Sequence, residues 1–201
     1  MCERYDDGFE CHLLNEKHRF YVGRLPGEKI LTREQFNYLW ELHPTEYLKI
    51  KMYGHPVDTP RWQQAYGHDY HYTGQVNRAL PVPPLLDPTL TWAKTTIDER
   101  LNGILLNWYD AQLRHYIGKH RDSLTEIVNG SPIVTISFGE ERIFRLRPWK
   151  GEGSKDFPAT NGTVFIMPYE TNLAWTHEVP HFRAYRGRRI SVTIRAFTVG
   201  E

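Results

Sequence analysis

The sequence predicts a mainly β protein with flanking helices, an α+β chain whose C-terminal half folds as an all-β sandwich or jelly roll. Three observations carry this. Short runs of β-branched and aromatic residues at 133–138, 143–146, 163–167 and 190–194 are separated by glycine or proline, the punctuation of an antiparallel β fold. Helical spacing of apolar residues is confined to the N-terminal half. A length of 201 residues supports one well-buried core and is short for two. We therefore expect a single domain over 1–201, with an N-terminal part to about 103 and a β-rich part from about 104.

In order along the chain, Thr32-Arg33-Glu34-Gln35 is a capping-box sequence, and Phe36, Leu39, Trp40 and Leu42 follow at helical spacing until Pro44. That predicts an amphipathic helix. From 48 to 72 aromatics alternate with turn signals such as Tyr53-Gly54-His55-Pro56, Thr59-Pro60 and Tyr66-Gly67, predicting short strands and hairpins. The stretch 80–88 holds Pro81, Pro83, Pro84 and Pro88, which predicts an extended connection. A second helix is expected from about Asp87 or Thr89 to Leu101, ended by Asn102-Gly103. Ile104-Leu105-Leu106 then leads into Asn107-Trp108-Tyr109 as the first core strand.

No stretch approaches the length of a membrane span, and the polar, acidic start lacks a signal-peptide pattern. An intracellular place, cytoplasmic or nuclear and off the membrane, is the expectation. Cys2 and Cys11 have no metal-ligand spacing around them and are expected as reduced thiols. A net charge of +1 says nothing about a polyanionic partner, because clustering matters more than the sum. Acidic residues gather early, at Glu3, Asp6, Asp7 and Glu10, while Arg142, Arg145, Arg147, Lys150, Lys155, Arg183, Arg186, Arg188, Arg189 and Arg195 lie late. The late cluster reads either as a solvated basic face or as a phosphate-facing surface.

His120-Arg121-Asp122 is an HxD step. In extended backbone residues i and i+2 project to one side, so an imidazole and a carboxylate converge. Alone it means little and reads first as a surface histidine beside a solvated aspartate. With His177 supplying a second imidazole from a neighbouring strand, it completes the facial triad of non-haem iron(II) oxygenases. Period-two alternation over 189–195 puts Arg189, Ser191, Thr193 and Arg195 on one face. An arginine there is expensive to bury unless it meets an anion such as a dicarboxylic acid; an edge strand with a wet polar face is the other reading.

The order Asn107 and Tyr109, His120 and Asp122, Ser131-Pro132-Ile133-Val134, Trp175 with His177, and Arg189 with Arg195 resembles the AlkB family of 2-oxoglutarate-dependent nucleic-acid dealkylases. The resemblance spans most of 52–197. It implies a double-stranded β-helix (jelly roll) core under an N-terminal helical and hairpin lid. It implies Fe(II) on His120, Asp122 and His177, with 2-oxoglutarate and dioxygen as cosubstrates. Arg189 with Tyr109 would hold the distal carboxylate of 2-oxoglutarate, Arg195 and Asn107 would lie near its metal-chelating carboxylate, and Thr193 would add a hydrogen bond.

The N-terminal half, with Met52-Tyr53-Gly54, Pro60-Arg61, Gln64-Ala65, Gly67 and Tyr70-His71-Tyr72-Thr73-Gly74, resembles the duplex-DNA-repair branch of that family. Carried over, Tyr72 would stack on a flipped base, Arg61 would contact the nucleic-acid strands, and Tyr70 and Tyr53 would complete the substrate side. An aromatic lid packed on the core is the alternative for Tyr72. One departure stands out: repair members carry acidic residues just after HxD, where this chain has Ser123-Leu124. Either Glu126 substitutes, or the substrate differs. The implied activity is oxidative demethylation of alkylated DNA or RNA bases by a monomer, releasing formaldehyde, succinate and carbon dioxide. A hydroxylase of a small molecule or protein on the same core, and a non-catalytic nucleic-acid-binding module, are the rivals.

Overall fold

The structure is a computed structural model that describes residues 5, 8–52, 54–72 and 75–198, with the backbone alone at 51, 52 and 72. Strands β1 (Phe9–Leu13) and β2 (Arg19–Arg24) form a hairpin, followed by helix α1 (Arg33–Glu41). Thr32 Oγ1 accepts from Gln35 N at 3.2 Å and Gln35 Oε1 accepts from Thr32 N at 2.9 Å, so the predicted capping box starts α1 as expected. Two small hairpins flank β5 (Trp62–Tyr66): β3 (Lys49–Met52) with β4 (His55–Asp58), and β6 (Tyr70–Tyr72) with β7 (Gln75–Asn77).

Helix α2 runs Asp87–Thr96, stopping short of the expected Leu101. Thr95 turns its hydroxyl back onto the carbonyls of Thr91 and Trp92. Asp98 then accepts from the backbone and guanidinium of Arg100, closing a local turn that competes with further helix. The proline-rich connection before α2 is not wholly extended either, since Pro84–Leu86 forms a 3-10 turn.

The remaining elements are β8 (Gly103–Asp110), β9 (Ile117–His120), β10 (Ile133–Gly139), β11 (Arg142–Pro148), β12 (Lys155–Ala159), β13 (Thr163–Met167), helix α3 (Tyr169–Ala174), β14 (Trp175–Val179) and β15 (Arg188–Arg195). Among the described residues a seven-stranded antiparallel sheet has the order β1-β2-β13-β10-β15-β8-β5, and a four-stranded sheet the order β12-β11-β14-β9. Strands β1, β2 and β5 thus bring N-terminal chain into the larger sheet. Gly139 turns the chain from β10 towards β11 at φ +90°; a Cβ there would lie 2.4 Å from the Arg188 carbonyl oxygen, so only glycine lets the turn pass so close to the start of β15.

The two faces of the larger sheet bury different things. Ile190, Val192 and Ile194 of β15 pack in one cluster with Leu39 and Trp40 of α1 and Ala93 of α2. Trp108 pins this side, donating its indole N–H to the Leu39 carbonyl at 2.9 Å. The other face meets the smaller sheet through Phe20, Phe144, Phe157 and Phe165, whose rings lie 4.8–5.8 Å apart where they pair. No helix among the described residues is long and apolar enough to cross a membrane. Cys11 is disulfide-bonded, correcting the expectation of reduced thiols; Cys2 lies outside the described residues.

Candidate active site

Strand pairing sets out a polar row across the inner face of the larger sheet. Direct partners in adjacent strands share a face, and the registers Gln63↔Asn107, Asn107↔Ser191 and Ser191↔Ser137 align four polar side chains on β5, β8, β15 and β10. Thr193 faces Thr135 one step along. Opposite, on the smaller sheet, His177 of β14 and His120 of β9 are register partners, with ring centres 4.2 Å apart.

Asp122 does not continue β9 as the HxD reading assumed; it lies past the strand end. Asn172 of α3 holds it there. The Asn172 amide accepts from Asp122 N and donates to Asp122 O, each at 3.0 Å. Oδ1 of Asp122 lies 3.6 Å from His120 Nε2 and 3.7 Å from His177 Nε2. The three ligand atoms fall within 4.8 Å of one another, the spacing of a metal centre. His120 Nδ1 lies 2.9 Å from the Gly118 carbonyl, which takes its N–H and leaves Nε2 as the free lone pair.

The other oxygen, Oδ2, is held by Arg195 through Nε at 2.9 Å and NH2 at 2.6 Å. Burial alone would raise the Asp122 pKa, but Arg195, His120 and His177 outweigh it and hold the carboxyl well below the usual carboxylate range. Burial and the neighbouring His120 push His177 down to about 3, so its imidazole is neutral and able to act as a ligand. Arg195 also lies over the Tyr70 ring, 4.8 Å from its centre. Its engagement with Asp122 makes it first an anchor of that carboxylate, with NH1 lacking a hydrogen-bond partner among the described residues.

Arg189 has no exposed surface. Its Nε donates to Ser137 Oγ at 2.9 Å and its Cζ is 5.1 Å from the Tyr109 ring centre, yet NH1 and NH2 have no hydrogen-bond partner among the described residues. Burial, partly offset by Tyr109, lowers its pKa. Two parallel N–H donors on a buried cation suit a carboxylate. The donor set therefore fits a divalent metal beside a dicarboxylic acid.

A small cavity joins the triad to the polar row, lined among others by Asn107, Tyr109, His120, Asp122, His177, Ser191, Thr193 and Arg195; Arg189 is the register partner of its wall residue Tyr109. Tyr70 and Arg61 line it too. Arg61 is 6% exposed and donates to Asn107 Oδ1 at 2.7 Å and Gln63 Oε1 at 2.8 Å. It lines the cavity; the sequence suggested it as a contact to nucleic-acid strands. Tyr53 lies outside the described residues, and the Tyr72 side chain does as well. Glu126 pairs with His71 of β6 at 2.6 Å, tying the loop after HxD to the lid hairpin.

The late basic cluster divides. Arg142, Arg189 and Arg195 are buried; Arg145 and Arg147 pair with Asp156 and Glu178 at 2.6 and 2.7 Å. It is not one basic face. Sequence reading missed Gln63, Ser137 and Asn172. Gln63 and Ser137 follow from register once Asn107 and Ser191 are placed. Asn172 carried no signal, since it meets Asp122 only through the packing of α3.

The family model described as 2OG-Fe(II) oxygenase superfamily matches residues 31–195. DNA oxidative demethylase ALKBH2 of Homo sapiens is 28% identical over 158 residues, covering 73% of this chain and 60% of that protein. Alpha-ketoglutarate-dependent dioxygenase alkB homolog 3 of Rattus norvegicus is 30% identical over 149 residues, 68% of this chain and 50% of that protein. The chain thus spans between half and three-fifths of the length of these relatives. The solved structure of OsALKBH1 superposes with a TM-score of 0.57 over 92% of this chain and 99% of that one, at 11% identity, a likeness of fold. That likeness and the family match bear out the expected double-stranded β-helix.

Proposed function

The chain belongs to the 2OG-Fe(II) oxygenase superfamily and is AlkB-like within it, and on that premise we propose that it is an iron(II)- and 2-oxoglutarate-dependent dioxygenase that oxidatively demethylates alkylated nucleic-acid bases. The observation that carries this is the grouping of His120, Asp122 and His177 on a cavity whose wall includes Tyr109, the register partner of Arg189, a fully buried guanidinium whose terminal nitrogens have no hydrogen-bond partner among the described residues. His120, Asp122 and His177 would hold the iron. Arg189, beside Tyr109, would take the distal carboxylate of 2-oxoglutarate. Asn107, Thr193 and the spare NH1 of Arg195 would serve its metal-proximal end. Iron, 2-oxoglutarate and dioxygen together supply the oxidant for a substrate C–H bond, and an N-hydroxymethyl product collapses to formaldehyde.

This chain's own work is positional. Asn172 and Arg195 fix Asp122 from its backbone and its carboxylate. A neutral His177 keeps its ligand nitrogen free. Arg195 spans Asp122 and Tyr70, so the metal side and the lid side share one cation. The nucleic-acid part rests on the relatives' names and on the lid, and with it goes a place inside the cell. One observation favours a second reading, hydroxylation of a small molecule or protein: Leu124, after HxD, packs with Ala65, Tyr70 and Phe197 in an apolar cluster.

The experiment is a panel of methylated oligonucleotides and nucleosides with Fe(II), ascorbate and 2-oxoglutarate, reading formaldehyde and succinate together. Formaldehyde released in step with succinate from oligonucleotides supports demethylation. Succinate without formaldehyde from any of them moves the substrate to the second reading. No succinate at all removes the catalytic reading and favours a binding module.

A further inference from the structure

The cavity holds a polar pair that neither the metal ligands nor the cosubstrate residues require. Gln63 is 3% exposed and lines the cavity beside the triad. Its Oε1 accepts from Arg61 NH2 at 2.8 Å. A guanidinium offers only donors, so this contact orients the amide, with oxygen towards Arg61 and nitrogen away. That nitrogen, Nε2, is buried and has no hydrogen-bond partner among the described residues. Arg61 in turn is steered by Asn107 Oδ1 at 2.7 Å. Among the described residues lining the cavity the only carboxylate is Asp122, and Arg195 already occupies it.

The cavity thus carries surplus donors and surplus positive charge. An incoming group that supplies acceptors meets Gln63 Nε2 well, and one that brings N–H donors leaves it unpaired, which a buried site penalises. A positively charged base would also stand against the Arg61 guanidinium where water is scarce and like charges repel strongly. Alkylation at N3 of thymine leaves a neutral ring with a carbonyl on each side of the alkyl group, and at N1 of guanine a neutral ring with a carbonyl on one side and an amine on the other. Alkylation at N1 of adenine or N3 of cytosine gives a cation with an exocyclic amine, cytosine keeping one flanking carbonyl. Resting on the demethylase reading, we propose that Arg61 and Gln63 form a carbonyl-reading element and that the preferred target is a neutral, carbonyl-bearing alkylated base.

The test uses single-stranded oligonucleotides identical except for one base, 3-methylthymine or 1-methylguanine against 1-methyladenine or 3-methylcytosine. Two quantities are read: kcat/KM from formaldehyde release, and anaerobic binding by fluorescence anisotropy. Both should favour the carbonyl-bearing bases by about tenfold or more, the factor one ordinary hydrogen bond carries. Gln63→Glu keeps an acceptor for Arg61 and removes the free donor. It should shrink or invert that ratio within a single preparation, so any loss of folded protein cancels. Equal or faster turnover of the cationic bases by wild type overturns the inference while leaving the demethylase reading standing. So does a Gln63→Glu ratio equal to wild type, or a change confined to the 2-oxoglutarate requirement. Turnover of 2-oxoglutarate with none of the four bases demethylated overturns the demethylase reading and the inference with it.

Discussion

The space between the two sheets is filled in one region by rings and in another by hydrogen-bonding groups. Phe20, Phe157 and Phe165 pack with no polar atom among their side chains. A short step along the same face, Asn107, Ser191, Thr193 and Arg195 border an open cavity, and Arg189 is buried with unmet donors. Phe144 belongs to both, stacking on Phe165 at 4.8 Å and on His177 at 5.4 Å. The packed region holds the sheets at a fixed separation. The polar region uses that separation to present ligands. Strand β15 shows the division within one element, with aliphatic residues turned to the helices and charged ones turned inward.

The two regions are expected to fail differently when cut. The largest effect is on the polar side. His120→Ala should abolish 2-oxoglutarate-dependent succinate release, while its melting temperature stays close to wild type, because His120 is a partly exposed ligand and not core. Succinate release at the wild-type rate would break the contrast and misassign the triad. On the packed side, Phe20→Ala should cost about 3–5 kcal/mol in urea denaturation, since the ring is fully buried against three others. The 2-oxoglutarate requirement per folded molecule should hold near wild type.

How far these regions were legible in the sequence follows from how local their causes are. Runs such as 133–138 and 190–194 announced strands because alternation is a property of neighbours, and β10 and β15 formed there. The capping box behaved likewise. Strands β9 and β14 lack such runs; they exist because they pair with each other and with β11. The triad was legible by residue type and spacing. The inward turn of Arg61 was not, because it depends on Asn107, which is distant in sequence. Helix α2 was overrun for the opposite reason: a local turn at Asp98 outweighed helical spacing.

A subtler cut on the polar side is Arg189→Lys, which keeps the charge and loses the fork. It should raise the apparent 2-oxoglutarate requirement by an amount corresponding to about 1.5–3 kcal/mol, with a smaller change in the requirement for the methylated substrate. An unchanged 2-oxoglutarate titration would move the cosubstrate elsewhere. The smallest effect is expected at the periphery of the packed side. Thr32→Ala removes one arm of the α1 cap and should cost about 1 kcal/mol of stability, read by urea denaturation, with 2-oxoglutarate titrating as in wild type.

If the triad and Arg189 form one site for iron and 2-oxoglutarate, calorimetric titration of 2-oxoglutarate into protein loaded anaerobically with Fe(II) will show it when wild type is set beside His177→Ala and Arg189→Lys. We predict binding that requires iron in wild type, is lost in His177→Ala, and is weakened by about tenfold or more in Arg189→Lys. Equal affinity in all three proteins, with or without iron, would contradict it.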